Sequence, residues 1–369
     1  GASGDLAPLS HLACCMIGEG SVHFQDRVMP SMIALKEANL KPIDLDSKEG
    51  LSLVNGTQIS TAIAIKTLYE AEKLLFSADI ISALSVEASL STRDVFKPAI
   101  HKLKKHKGQI ISATNIFNLL KNSEIVSSHK NCDRVQDPYS IRCIPHIHGA
   151  SWEIFSSAEK IINNEINSVS DNPLIFSNGQ VHSSGHFHAE PVAQALDSLS
   201  IAMSEIGAIS ERRIHFFMKG ADNKIPMFGA VNGGLESGFM LAHVTAASLA
   251  SENKTLAHPS SVDSLSTSAG QEDIVSMAPW AGRSCLRILD NVRMILAIEL
   301  LVAGNINHRF HHKLNSSNGL QPLMKLLKKS KVLSKTDRVF SKDIEIISEL
   351  IKTDQVYSVV NKVNKISRV

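Results

Sequence analysis

A mainly α-helical fold, a bundle of long helices, is what this sequence predicts, and three observations carry the prediction. The first is the stripe Val192, Ala195, Leu196, Leu199, Ala202, Met203, Ile206 and Ile209, whose spacings of three and four place every member on one side of a helix. The second is that Ala, Leu, Ile and Met recur at helical spacing in four further stretches. The third is that turn-forming residues gather between those stretches, as connections between buried helices require.

The elements follow in order. Helices are expected from about Ile59 to Leu75, from about Ser151 to Asn167, along the Val192 to Ile209 stripe, from about Gly238 to Leu256 and from about Ile274 to Val302. Pro191 suits the first turn of the stripe helix, where a missing N–H is harmless, and Glu211-Arg212-Arg213 reads as its end, matching the helix dipole. Asp171-Asn172-Pro173, Asn178-Gly179, Ser183-Ser184-Gly185 and Asn232-Gly233-Gly234 read as turns, with a short hairpin pairing Leu174-Ile175-Phe176 with Val181. Residues 1–305 form the expected core. The more basic, less patterned residues 306–369 are expected as a smaller helical appendage.

Composition excludes several classes of function. The chain has 369 residues, 43% hydrophobic and 20% charged, the balance of a folded protein rather than a disordered one. Lys and Arg (38) nearly match Asp and Glu (36), and a net charge of +2 leaves no broad field for nucleic acid or an anionic membrane. The densest basic run, His101 to Lys107, reads as a solvated helix surface or loop. Five cysteines without CxxC spacing argue against a disulfide framework or zinc knuckle. No apolar run reaches a membrane-spanning length and no signal segment opens the chain, so a cytoplasmic protein is expected. The start at Gly1 reads as a piece of a longer protein. No HExxH or close Cys/His pairing occurs among the 16 histidines, and no metal is expected; His146/His148 and His186/His188 would share a face only in a strand.

The chemistry begins at Gly1-Ala2-Ser3-Gly4-Asp5-Leu6-Ala7-Pro8-Leu9. Read physically, this is a helix cap, with Ser3 or Asp5 accepting from orphan N–H groups and Pro8 in the first turn. Yet it also resembles the signature of the ammonia-lyases that build 4-methylideneimidazole-5-one (MIO) from an Ala-Ser-Gly triplet. Further blocks are similar, in order, to the histidine-specific branch of that family: Lys48-Glu49-Gly50-Leu51, Asn55-Gly56-Thr57-Gln58, Gln136 to Cys143, His148-Gly149-Ala150, Ser170-Asp171-Asn172-Pro173, Phe187 to Pro191, Ser251-Glu252-Asn253-Lys254 and Gln271-Glu272-Asp273.

The resemblance implies a bundle like that of the ammonia-lyases and of the fumarase and aspartase class. It implies that Ala2, Ser3 and Gly4 become MIO, with no external cofactor, and that L-histidine loses ammonia to give trans-urocanate. Asn55 would bond near the MIO ring, Arg142 would bind the substrate carboxylate, Tyr139 would meet the reacting centre, and Gln136 would complete that wall. Phe187 would shield MIO, and Glu272 would meet the substrate imidazole, where phenylalanine-specific relatives carry Gln. It also implies a homotetramer with active sites assembled from several subunits, and a β-proton base on a segment preceding the triplet, which this chain does not contain.

Each residue has a plainer reading too. Asn55-Gly56 is a common turn, Tyr139 and Arg142 share a helical face at a spacing of three, Phe187 suits a core, and Glu272 suits a helix start. His186, Gly270 and Ile274 depart from the family, which carries Asn, Asn and His there. Three alternatives stay open: a phenylalanine or tyrosine ammonia-lyase or aminomutase, a fumarase-type enzyme without MIO, and an inactive remnant of the same fold.

Overall fold

The computed structural model describes residues 4–129 and 133–369. These are mainly helical, with two short antiparallel hairpins. The chain divides into two compact units, each built from three stretches: residues 1–67, 158–198 and 259–285 in the first, and residues 68–157, 199–258 and 286–369 in the second.

In the second unit one helical stretch is buried on every side, and its charges are buried with it. The helix Gln58–Ala88 carries Ala78, Ile80, Ile81, Ala83, Leu84 and Val86 fully out of solvent, but also Asp79, Ser85 and Glu87. Each acid is met by partners from other segments of the unit, as a buried charge requires. Asp79 faces His148 Nδ1 at 2.8 Å and accepts from Ser112 Oγ at 2.7 Å and Asn115 Nδ2 at 3.2 Å. Glu299 accepts from Arg213 Nε at 2.6 Å and Nη2 at 2.8 Å, from Ser85 Oγ at 2.6 Å and from Ser210 Oγ at 2.5 Å. Glu87 accepts from the Ser316 hydroxyl and from the Ser317 N–H at 2.8 Å, and burial raises its pKa against those bonds. Gly108 and Gly149 let the helices Lys107–Leu119 and Ile144–Ile166 touch: a Cβ on Gly108 would stand 2.3 Å from the Gly149 carbonyl oxygen.

Residues 306–369 fall in the second unit, with helices at Gln321–Lys329, Ser341–Lys352 and Gln355–Asn361. The stripe helix runs Glu190–Met218, so Arg213 lies inside it rather than at its end, and its charge neutralises a buried Glu299 rather than a helix dipole. The helix expected to stop near Leu75 continues to Ala88, and the last long helix spans Ala278–Phe310. His101 departs from the solvated reading of its basic run: it is buried, meets Val95 O at 2.8 Å and has its pKa lowered by burial.

The first unit is made of shorter helices, turns and both hairpins. Leu174 pairs with His182 and Ile175 with Val181, as the turn residues predict. The other hairpin, Ser21–Phe24 with Arg27–Pro30, turns at Gln25 and Asp26, both with positive φ. No helix among the described residues is long and apolar enough to cross a membrane.

Candidate active site

Ala2 and Ser3 lie outside the described residues, so the site is built from Gly4 onward. Gly4 is buried in a ring of oxygens. A Cβ there would stand 3.2 Å from Asn55 Oδ1 and 3.5 Å from the carbonyl oxygens of Gly56 and Phe187. Two segments far apart in sequence thus close around one glycine, and the tightest of these contacts leaves little slack for a side chain.

The next residue fixes that arrangement. The Asp5 N–H donates to Gly56 O at 2.8 Å, and its carboxylate accepts from the Ser60 N–H at 2.7 Å. Asp5 therefore caps the start of the helix Gln58–Ala88 and not, as its position in sequence suggests, its own helix Leu6–Met16, which receives no side-chain cap. Burial pushes the Asp5 pKa up, while N–H groups of Ser60 and Ile59 hold it back. Asp5 Oδ1 is buried without a hydrogen-bond partner among the described residues.

The similar blocks of the first unit converge behind Gly4. Gly56 admits no Cβ, which would lie 2.7 Å from Ser170 O and 2.3 Å from Gln58 Oε1. Thr57 Oγ1 donates to Glu165 at 2.5 Å, and Gln58 Nε2 to Ser170 Oγ at 3.3 Å. Lys48 pairs with Asp171. Burial opposes Asp171 ionisation, yet Lys48, the Asn172 N–H and Ser52 together lower its pKa. Asn172 Oδ1 in turn accepts from the Ser184 N–H at 2.7 Å.

Glu272 belongs to the same unit. Its segment reaches Phe187 through the adjacent His188, whose Nε2 lies 3.2 Å from Ile274 O. Residues 268–270 form a turn with three consecutive positive φ values, Ser268 at 51°, Ala269 at 55° and Gly270 at 86°. Both Gly and the Asn expected at 270 tolerate that conformation, so this departure leaves the backbone unchanged. The Ile274 side chain is exposed, while its carbonyl makes the contact with His188. His186 Nδ1 meets Ser184 Oγ at 2.7 Å.

The second unit holds the other three candidates. Tyr139 and Arg142 lie on the short helix Tyr139–Arg142, with the guanidinium carbon 4.5 Å from the phenol ring centroid, as the spacing of three predicts. Tyr139 is 69% exposed, and Arg142 Nε is buried with no acceptor among the described residues, a guanidinium with hydrogen-bonding capacity to spare. Asp137 anchors the preceding loop by accepting from Thr92 N at 2.9 Å and Arg134 Nη1 at 2.8 Å. Gln136 lines a cavity of about 760 Å³ together with Arg93, His129 and Arg134. His146 and His148 both lie on the helix Ile144–Ile166 and face different neighbours, His101 and Asp79. Among the described residues no three His, Cys, Asp or Glu side chains converge to hold a metal ion.

Sequence reasoning did not single out Thr267, Ser268, or the positions of Asp5 and His188 as supports. Their roles depend on contacts across loops, and no periodic pattern announces those.

Comparison with known proteins adds an independent line. The family model for aromatic amino acid lyases matches residues 1–329. The histidine ammonia-lyase of Vibrio cholerae is 48% identical over 354 residues, covering 95% of this chain and 69% of that protein. The enzyme of the same description from Aliivibrio fischeri is 49% identical over 355 residues, with the same coverage. Among solved structures, histidine ammonia-lyase from Trypanosoma cruzi matches with a TM-score of 0.90 at 39% identity, covering 98% of this chain and 69% of that one. Tyrosine aminomutase from Streptomyces globisporus matches with 0.91 at 29% identity, covering 100% and 74%.

Proposed function

Because the chain belongs to the aromatic amino acid lyase family, we propose that it serves the elimination of ammonia from L-histidine to give trans-urocanate, with MIO formed from Ala2, Ser3 and Gly4. The observation that carries this reading is the enclosure of Gly4 by Asn55, Gly56 and Phe187. Ring closure onto the Gly4 nitrogen needs a backbone that can fold tightly at that position, and the surroundings leave little room for a side chain there. Asp5 Oδ1, buried without a hydrogen-bond partner among the described residues, fits a polar neighbour in the same loop. MIO supplies the electrophile that makes the loss of ammonia feasible.

Apart from the β-proton base, the chain's own residues fill the roles that the resemblance gives them. Arg142 offers a planar fork and an unsatisfied Nε–H for the substrate carboxylate. Tyr139, exposed and oriented against that guanidinium, donates or accepts a proton at the reacting centre through its hydroxyl. Asn55 presents its side-chain oxygen at the triplet, Gln136 borders the polar cavity beside Arg142's helix, and Phe187 contributes the apolar cover. Glu272 pairs with the imidazole and stabilises its protonated form. Identities of 48–49% to histidine ammonia-lyases against 29% to a tyrosine aminomutase of equally similar fold favour histidine over the other aromatic amino acids. We also propose a cytoplasmic homotetramer with residues 1–305 as the lyase core and 306–369 as its appendage. Exposed Leu241 and Val244 on the helix Met240–Leu256 support self-association.

Urocanate formation from L-histidine, followed by its ultraviolet absorbance, tests the activity. Ser3→Ala is expected to abolish it, and substantial residual turnover by that variant would overturn the role of the triplet.

A further inference from the structure

We propose that Thr267 and Ser268 act as positioning residues for substrate choice, clamping one oxygen of Glu272 and leaving the other to the imidazole. The inference rests on the reading of Glu272 given above and deepens it.

The geometry is specific. Thr267 Oγ1 donates to Glu272 Oε2 at 2.5 Å and Ser268 Oγ donates to the same oxygen at 3.0 Å. Among the described residues Glu272 Oε1 accepts no hydrogen bond. The two donors could sit side by side beneath the carboxylate only if the chain doubled back, and it does. Thr267 and Glu272 form an antiparallel bridge, with Thr267 N to Glu272 O at 2.9 Å and Glu272 N to Thr267 O at 3.3 Å. Between them Gly270 N donates to Thr267 O at 3.0 Å and Gln271 N to Ser268 O at 3.1 Å, across the three left-handed residues. Two non-glycine residues at positive φ mark a turn held by its own cross-turn hydrogen bonds rather than by backbone preference. Beyond the turn, Val275 N donates to Ser264 Oγ at 2.9 Å and Ile274 O meets His188, so both ends of the Glu272 segment are tied down.

An ion pair with a half-saturated carboxylate has a defined consequence. Two hydroxyls on one oxygen fix the side-chain torsions and leave one acceptor directed at one N–H donor. An imidazolium supplies that donor. A phenyl ring does not, and a carboxylate held by two hydroxyls then faces it without a partner. The clamp thus acts as much by keeping Glu272 in place against the wrong ring as by presenting it to the right one.

The test is equilibrium binding of urocanate to the full chain, measured by calorimetry, alongside KM and kcat for L-histidine and L-phenylalanine. Thr267→Val with Ser268→Ala is expected to weaken urocanate binding and raise KM for histidine by about tenfold, the scale of losing one charge-assisted bond. The effect on kcat is expected to be smaller, and preference for histidine over phenylalanine is expected to fall. Thr267→Ser restores a hydroxyl and is expected to recover binding, which separates the clamp from mere loss of fold. Glu272→Gln distinguishes the two layers of the argument. If it weakens urocanate binding while the double variant does not, the clamp is overturned and the Glu272 reading stands. If Glu272→Gln leaves binding unchanged, both are overturned.

Discussion

The two units of this molecule solve the problem of polar groups in opposite ways. In the second, Asp79, Glu87, Arg213 and Glu299 are buried inside packed helices with their partners, and they hold an interior. In the first, Asp5 caps a distant helix, Lys48 and Asp171 tie one segment to another, and Glu272 closes its own turn. Buried pairs make a rigid frame that fails as a whole when one member is lost. Loop ties set the positions of particular atoms, and their loss should register in chemistry before it registers in stability.

Substitutions can break or sharpen that contrast. The largest stability effect is expected from Arg213→Met, which leaves Glu299 charged and fully buried with hydroxyl partners alone. A loss of about 3–5 kcal/mol in denaturant unfolding is expected, and a loss under about 1 kcal/mol would mean that the pair is not the frame described. A smaller effect should come from pH. Burial holds the His148 pKa below the ordinary histidine value, with the Asp79 contact opposing it only in part. Its native form therefore takes up fewer protons than the unfolded chain, so stability is full above about pH 6.5 and falls as pH drops through that value toward the lowered one. His148→Gln should flatten part of that slope. Equal slopes in the two proteins would remove His148 from the account. The smallest effect belongs to Lys48→Met in the first unit. Its pair with Asp171 is partly exposed, and the loss of stability should stay within about 1 kcal/mol. A change in turnover larger than that stability loss explains would confirm that this tie positions the site.

The same contrast explains how much could be read from the sequence. Helices with one dry face announce themselves, and the stripe from Val192 to Ile209 lies within Glu190–Met218. The helix Gln58–Ala88 was half legible. Beyond Leu75 both its apolar and its polar residues are buried, and a helix dry on all sides has no amphipathic rhythm. Arg213 shows the matching failure for charge, since its partner Glu299 lies on another helix and Arg213 alone looks like a residue that favours a helix end. The hairpin 174–182 carried Asn178-Gly179 as its signal, whereas Gln25-Asp26 offers no such cue for the hairpin Ser21–Phe24 with Arg27–Pro30.

At the site, the candidate residues come from resemblance, and the contacts that support them were not legible. Gly4 lies beside Asn55 Oδ1 and the Phe187 carbonyl, and Tyr139 stacks with Arg142 as their spacing implies. The hydroxyls on Glu272 and the cap that Asp5 places on a distant helix arise from loop closure, which no local propensity encodes.

The measurement that bears most directly on the central claim is the mass of the peptide containing Ala2, Ser3 and Gly4, within the intact mass of the purified chain. A deficit of two water molecules on that peptide, lost in the Gly4→Ala variant, is the expected result. An unmodified peptide in a folded chain that nonetheless forms urocanate would contradict the account.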